Sequence, residues 1–477
     1  MLFITLIILI IVCPALTALG ITIAKGRRTS RLPDRPEGGR TEQYARKLRD
    51  MIRCDTVSSE EPDDAEKQRF IVFHQVLERL FPLVHRQLEV TDLDGNLLYY
   101  WKGKKSDRPI LLMSHQDVVP VSGSWRYPPF SGTISDGRIW GRGACDTKCS
   151  LMGFLQAAEE LLEEGFIPEQ DIYLASSRTE EVGGDGAPSI VRELKSRGVR
   201  LRMVCDEGGG IQDAPIPGIK APIAMIGVQE KGVADITFCS RGNGGHAHTP
   251  PKHNPVEDLA AFICSMKKRP PFRSRLTPPV RLMLEKVAPY ADFPIRMVLS
   301  NLWLFAPLVE LVTPKISPDA ASMLKTTCAF TRMQGEEAFN VIPVKATIGA
   351  NMRFIPHQPM EESLWILEKR AAEFGVEIES VHGNDCTGCA DIGSESFGLI
   401  KSALQETFPE LGWAPYILTG ATDARFFDEI CDQIFRFAPV EYGTEQKKGI
   451  HGIDENLEYG CLAGCVDFYK NLIKLTN

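Results

Sequence analysis

The chain has 477 residues, enough for two packed domains at roughly 100–200 residues each. Its 62 acidic and 54 basic residues give a formal charge of −8, so no global basic footprint favours nucleic acid as a partner. The 13 cysteines are odd in number and lack the dense spacing of a small disulfide scaffold, which suits a reduced state.

Met1 to Ala24, MLFITLIILIIVCPALTALGITIA, carries no charged side chain, and a membrane-spanning helix needs about 20 apolar residues. An uncleaved N-terminal membrane anchor is expected. No basic n-region precedes the run, and ALTALG offers no clean small-x-small cleavage site. Lys25, Arg27, Arg28 and Arg31 follow at once. Such clusters tend to stay cytoplasmic, which favours a cytoplasmic body. Residues 25–40, rich in Arg, Pro and Gly, read as a polar linker.

From Thr41 onward, helical and strand-like patterns alternate. TEQYARKLRDMI and EKQRFIVFHQVLERLF have helical spacing, whereas PILLMSH, QDIYLASSR and LRMVCDE are short apolar runs ending in polar residues. TKCSLMGFLQAAEELLEEG reads as an amphipathic helix closed by Gly165. The alternation predicts an α/β fold with a mixed, mostly parallel sheet flanked by helices. A second region, 233–351, holds strand-like ADITFCSR and ATIGANMRF, with a proline-rich stretch between them. Signals of the first kind resume afterwards. The expected organisation is an anchor (1–24), a linker (25–40), a main domain built from 41–232 and 352–477, and an inserted α+β domain (233–351). No internal repeat appears.

Ligands of open α/β sheets bind at the carboxyl ends of the strands. PILLMSHQD ends in His115 and Asp117, and WGRGACDTK offers Asp146 before a helix. YLASSRTEE ends in Glu180 and Glu181, RMVCDEG ends in Asp206 and Glu207, and the late loop KKGIHGIDE adds His451. Singly, each has an ordinary reading as a turn contact or a helix cap. Jointly, two histidines and several carboxylates ending separate elements of one sheet point to a metal centre. Imidazole nitrogen and carboxylate oxygen are suitable zinc ligands, and two metals roughly 3.5–4 Å apart need a bridging carboxylate. Asp146 is the candidate bridge. Asp117, two residues from His115, suits an acid that receives the histidine's other N–H. Activating water also needs a base kept off the metal, within about 2.6–3.2 Å of the proton it takes.

The segments LLMSHQDVVPV, WGRGACDTKCSL, SSRTEEVGGDGA, CDEGG, GNGGHAHTPP, FNVIPVKATIGANMRF, TGATDARFF and GIHGIDE resemble the M20 family of metallopeptidases. They occur in family order over nearly the whole chain beyond the linker. HQDVVPV, the anchor and the length of the inserted domain are most similar to the carboxypeptidase S and N-fatty-acyl-amino-acid hydrolase branch. The resemblance implies two zinc ions per subunit, held by His115, Asp146, Glu181, Asp206 and His451, with Asp146 bridging. Glu207 is the lesser alternative to Asp206, because the family varies at that position. It further implies Glu180 as general base and then acid, and Asp117 as the residue orienting His115. His246 and Asn340 resemble residues of the inserted domain that steady the oxyanion. Arg353 resembles the one that meets a substrate carboxylate, and Gly420 and Thr422 lie in a segment like the substrate-lining loop. In dimeric members the inserted domain builds the interface and can lend His246 to the neighbouring subunit, so a lid and a homodimer are implied.

Departures from the family pattern are local. Cys149 stands where the family usually has Gly, and His248 replaces a small residue. Cys145 and Cys149 lie beside a helix N-terminus, which can activate a thiol, but small buried thiols under the site are the expected reading. Cys386 and Cys389 form a CxxC without a partner pair, which argues against structural zinc or redox work. The implied activity is hydrolysis of a peptide or N-acyl amide bond beside a free C-terminal carboxylate. Its rivals are a deacylase of acetyl- or succinyl-amino acids and a non-catalytic, membrane-tethered peptide-binding protein. Cobalt or manganese can replace zinc in such a donor set. No Gly-x-Ser-x-Gly elbow or phosphate-binding P-loop occurs.

Overall fold

Strand side chains alternate between the faces of a sheet, and the run from Ile110 to Met113 fills both. Ile110 and Leu112 join the apolar cluster on one side, and Leu111 and Met113 the cluster on the other. The computed structural model describes residues 12–33, 38–213, 216 and 218–476. In it this strand, Lys105–Met113, lies inside a ten-stranded mixed sheet. Its parallel neighbours are Gln170–Ser176 and Met203–Asp206, and Ile434–Arg436 runs parallel beyond the latter. Antiparallel strands Asn96–Trp101 and Ile223–Glu230 flank this group. The architecture is the expected α/β class.

Helix Lys148–Glu163, expected to be amphipathic, is buried on nearly every side, including at Lys148, Gln156 and Glu159. The C-terminal helix Leu462–Lys474 packs closely against it at Gly153, where a Cβ would come within 2.5 Å of Cys465 Sγ. On the opposite face, helix Gly186–Ser196 buries Ala187, Ile190, Val191 and Leu194, one stripe of a 3.6-residue period.

A second sheet has four antiparallel strands in the order Thr327–Gln334, Lys345–Phe354, Gly232–Arg241, Val376–Asn384. Along Lys345–Phe354 every second residue, from Ala346 to Phe354, is buried, packed with Leu259 and Phe262 of helix Pro255–Lys268 and Leu367 of Met360–Ala372. The second sheet therefore reaches Asn384, and the boundary expected at residue 351 falls inside one of its strands. Residues 278–324 also leave it: Val280, Met283 and Leu299 pack on Ile223, Met225 and Tyr416 of the main sheet.

Met1 to Ile11 of the expected anchor lie outside the described residues. The remainder forms helix Cys13–Lys25, and among the described residues no single helix is long and apolar enough to cross a membrane. This helix docks on the apolar helix Phe293–Ser300, which is bent by 109° against the next, Leu302–Ile316. Asn301 Nδ2 donates to Ala18 O and to Thr22 Oγ1, both at 3.0 Å. The linker expected over 25–40 is, where described, laid along the body. Arg28 N donates to Pro289 O at 2.8 Å, Arg31 N to Glu410 O at 3.2 Å, and Gly412 N to Ser30 Oγ at 2.8 Å. Backbone groups held this close to the body take partners from it, so the segment is a strap.

Candidate metal centre

The parallel strands end along one edge, and the residues just past them converge. His115 follows Lys105–Met113, Glu180 and Glu181 follow Gln170–Ser176, and Glu207 follows Met203–Asp206. Asp146 comes from the loop before helix Lys148–Glu163, and its peptide bond to Thr147 is cis. His451 comes from the loop after Thr444–Gly449 and holds a left-handed backbone at φ 56°. His115 Nε2 lies 3.1 Å from both Asp146 Oδ1 and Glu207 Oε1. His451 Nε2 lies 3.1 Å from both Asp146 Oδ2 and Glu181 Oε2. Two groups result, His115–Asp146–Glu207 and Asp146–Glu181–His451, and the ligand atoms within each lie within 4.8 Å of one another. Asp146 turns one oxygen to each group, the arrangement of a bridging carboxylate.

These residues fit divalent cations. Glu181 Oε1 is buried without a hydrogen-bond partner, a costly state for a carboxylate oxygen unless something positive meets it. The donors are imidazole nitrogen and carboxylate oxygen, the set that zinc and similar ions take.

One expected ligand, Asp206, lies outside both groups. Its carboxylate accepts from the backbone N–H of Glu207 at 2.8 Å and of Ala424 at 2.9 Å. The strand ends at Asp206, and the next side chain points the other way, so Glu207 takes the place beside His115. Asp117 acts more broadly than expected. Its backbone carbonyl accepts from His115 Nδ1 at 2.9 Å, while its carboxylate lies 3.4 Å from that nitrogen. With Nδ1–H so engaged, Nε2 is left for the centre. The Asp117 carboxylate accepts from the backbone N–H of Glu180 at 3.3 Å and of Glu181 at 3.1 Å, and from Ser58 Oγ at 2.6 Å. One acid thus fixes both the imidazole and the adjacent glutamates.

The carboxylates hold protons on the imidazoles. Burial works against His115, but Glu207, Asp117 and Asp146 raise its pKa well above the ordinary value. Hydrogen bonds that its N–H donates to Asp146 and Glu181 lift His451 to about 10. Burial opposes the ionisation of Asp146, yet the two histidines hold its carboxyl below the usual range. Burial raises Glu207 to about 8. Desolvation, with Asp423, Glu207 and Glu181, pushes Glu180 well above the carboxylate range despite the opposing pull of His115. The raised pKa of His451 adds stability to cation-free protein that is full below pH 6.5 and is lost as pH rises through about 10. Cation binding must displace that proton. Loading cation-free protein at about pH 8 is therefore expected to release protons, about one fewer in His451→Gln, as read by an indicator dye in weak buffer. Loading without proton release would contradict this ionisation scheme.

Glu455 was not anticipated, although GIHGIDE carries it four residues after His451. Fully buried, it accepts from Arg142 Nη1 at 2.7 Å, Cys145 N at 2.8 Å, and Gly143 N and Asp146 N at 3.1 Å. It holds the loop that presents Asp146. Cys145 and Cys149 are buried, and burial pushes both thiols well up, as expected for packing thiols.

The expected substrate residues are placed unequally. His246 pairs with Val341 on the short ladder Gly245–His246 with Val341–Ile342, and Asn340, just before it, accepts at its carbonyl from Ala247 N at 3.0 Å; both are exposed and belong to neither ligand group. His246 Nδ1 lies 2.7 Å from His248 Nδ1. Arg353 is half-buried on Lys345–Phe354, where burial and the nearby Arg425 lower its pKa. Arg425, unremarked in TDARFF, has its Nε buried without a partner. Gly420 is exposed, with open space where a Cβ would stand. Thr422, expected to line the substrate, directs its hydroxyl to the buried Glu230 Oε1 at 2.6 Å, which also accepts from Arg436 Nε at 2.7 Å.

Two histidine–carboxylate groups sharing one acid, at the carboxyl edge of a mostly parallel sheet, define a metal-dependent hydrolase. A family model described as Peptidase family M20/M25/M40 matches residues 111–475. The chain belongs to that family and is an enzyme. It is 34% identical to "Probable carboxypeptidase S-like 2" of Dictyostelium discoideum, over 91% of this chain and 85% of that one. It is 33% identical to the N-fatty-acyl-amino acid synthase/hydrolase of Homo sapiens, over 98% of this chain and 94% of that one. Its fold is similar to that of an M20 family metallo-carboxypeptidase from Sulfolobus solfataricus, with a TM-score of 0.67 at 17% identity, covering 91% of this chain and 98% of that chain.

Proposed function

We propose that the protein hydrolyses peptide or N-acyl amide bonds adjacent to a free C-terminal carboxylate, with two zinc ions as cofactor. The observation that carries this reading is the Asp146 carboxylate shared by two histidine–acid groups, with Glu180 held beside them. The names of its relatives, a carboxypeptidase S-like protein and an N-fatty-acyl-amino acid synthase/hydrolase, support the same bond. When bound there, zinc supplies a Lewis acid and lowers the pKa of water. Glu180, fixed by its backbone N–H on Asp117, accepts the proton of the attacking water and returns it to the leaving amine. Arg353 and Arg425 meet the substrate carboxylate, which the buried, unpartnered Arg425 Nε supports. His246 and Asn340 steady the oxyanion from a neighbouring subunit in a homodimer, a role their exposure supports.

The test is kcat/KM for an N-acyl amino acid against its C-terminal amide. The free acid is expected to be preferred on the order of 100-fold, and Arg353→Met or Arg425→Met should remove most of that preference. A chelator should abolish activity, and added zinc restore it. Activity that survives chelation, or that ignores the carboxylate, would sink the proposal.

We also place an anchor at Met1 to Ala24, with the body on the cytoplasmic side. The uncharged run and the basic residues Lys25, Arg27, Arg28 and Arg31 support this. Protease protection of the membrane-bound full chain reads the sidedness directly.

A further inference from the structure

Beside the reaction cleft, residues 278–324, with Ile216 and Gly218, enclose a second cavity of about 520 Å³. Its wall is hydrocarbon almost throughout, contributed by side chains such as Val280, Leu284, Val298, Leu299, Val309 and Val312. With only Thr313 and Ser317 offering hydroxyls, such a void holds water poorly and forfeits packing contacts for its lining unless something apolar fills it. Its size lies within the roughly 300–1,000 Å³ of ordinary ligand sites.

Met283 and Met323 line this cavity and also line the cleft that contains Asp146 and Glu207. The two spaces thus share a wall of two unbranched, flexible side chains, the residues best suited to part around a passing chain. At the other end, Leu308 and Ile316 line the cavity and are 49% and 67% exposed. Trp303 and Leu311 on the same helix are exposed as well, and helix Cys13–Lys25, docked through Asn301, exposes Leu16 and Ile23. Exposed apolar side chains thus lie at the mouth and along helix Cys13–Lys25.

We infer that this cavity is the acyl-chain site of the enzyme, holding the hydrocarbon tail of a long-chain N-acyl amino acid whose amide carbonyl lies at Asp146 and Glu207. The inference rests on the N-acyl reading proposed above and gives it a place. The tail passes between Met283 and Met323 and lies under helices Pro278–Val287 and Leu302–Ile316. The amino-acid carboxylate stays on the polar side of the cleft.

Two measurements on the full chain test this. In the first, kcat/KM is compared for N-acetyl, N-octanoyl and N-palmitoyl forms of one amino acid. Each methylene taken up is expected to raise it roughly three- to fourfold until the cavity is full. Val309→Trp and Leu299→Trp fill the cavity and should lower the N-palmitoyl value on the order of 100-fold, equivalent to about four lost methylenes, with N-acetyl turnover within about twofold of the parent. Retained N-acetyl turnover also shows that the variants fold. An equal fall for all chain lengths, or an unchanged profile, overturns the inference. In the second, dansyl-undecanoate is bound to the parent and to each variant without turnover. Fluorescence lost in the filled variants supports the site; equal binding, or none to the parent, overturns it. Should no N-acyl amino acid be cleaved while the probe binds and is displaced by filling, the proposed function fails and the hydrocarbon site stands.

Discussion

Glu180→Gln is expected to lower kcat by roughly 10²–10⁴-fold, the usual contribution of a positioned general base, with metal content unchanged. Glutamine keeps the size of the side chain and removes its capacity to accept a proton. Glu180 lies outside both ligand groups, and its backbone N–H is fixed by Asp117 regardless of the side chain. Metal analysis of the purified variant beside steady-state kinetics separates the two effects. A variant keeping more than about a tenth of the parent rate would show that another group moves the proton. Glu181→Gln should behave oppositely and lose metal, because Glu181 Oε2 faces His451 and Oε1 is left without a partner.

Glu455→Ala is expected to destabilise the fold by about 3–5 kcal/mol and to lower metal affinity together with activity, although Glu455 belongs to neither ligand group. Removing one member of a fully buried ion pair strands the other; here Arg142 Nη1 and the amides of Gly143, Cys145 and Asp146 lose their acceptor at once. Urea unfolding measures the loss. The double variant Arg142→Met, Glu455→Leu should recover part of the stability, since no charge is left stranded. It should not recover metal affinity, since the Asp146 loop still lacks its acceptor. Single-variant stability equal to the parent would mean that another contact holds the loop.

The sheet was legible because burial on two faces writes itself into continuous apolar runs such as PILLM, and the polar residues that end those runs mark the edge where His115, Glu180 and Glu181 meet. Asp206 and Glu207 were harder to separate. At a strand end the alternation stops being a guide, and one added residue decides which carboxylate faces His115. Glu455 gave no signal of its own kind, because an acid that binds backbone amides needs no characteristic spacing to its partners, and Arg142 lies far away in sequence. The extent of the second sheet was misjudged for a similar reason. Strand Val376–Asn384 pairs with Gly232–Arg241 across more than a hundred residues, while the intervening helices 278–322 belong to the main sheet. The segment 25–33 looked like free linker because composition reports solvation and says nothing of the backbone hydrogen bonds to Pro289 and Glu410.

That strap changes how the molecule is attached to anything its first residues enter. A flexible leash lets a domain tumble and present every face in turn. A helix clamped by Asn301, followed by a chain bonded to Pro289, Glu410 and Gly412, leaves little freedom to swing. The orientation of the body relative to that helix is then set at its root.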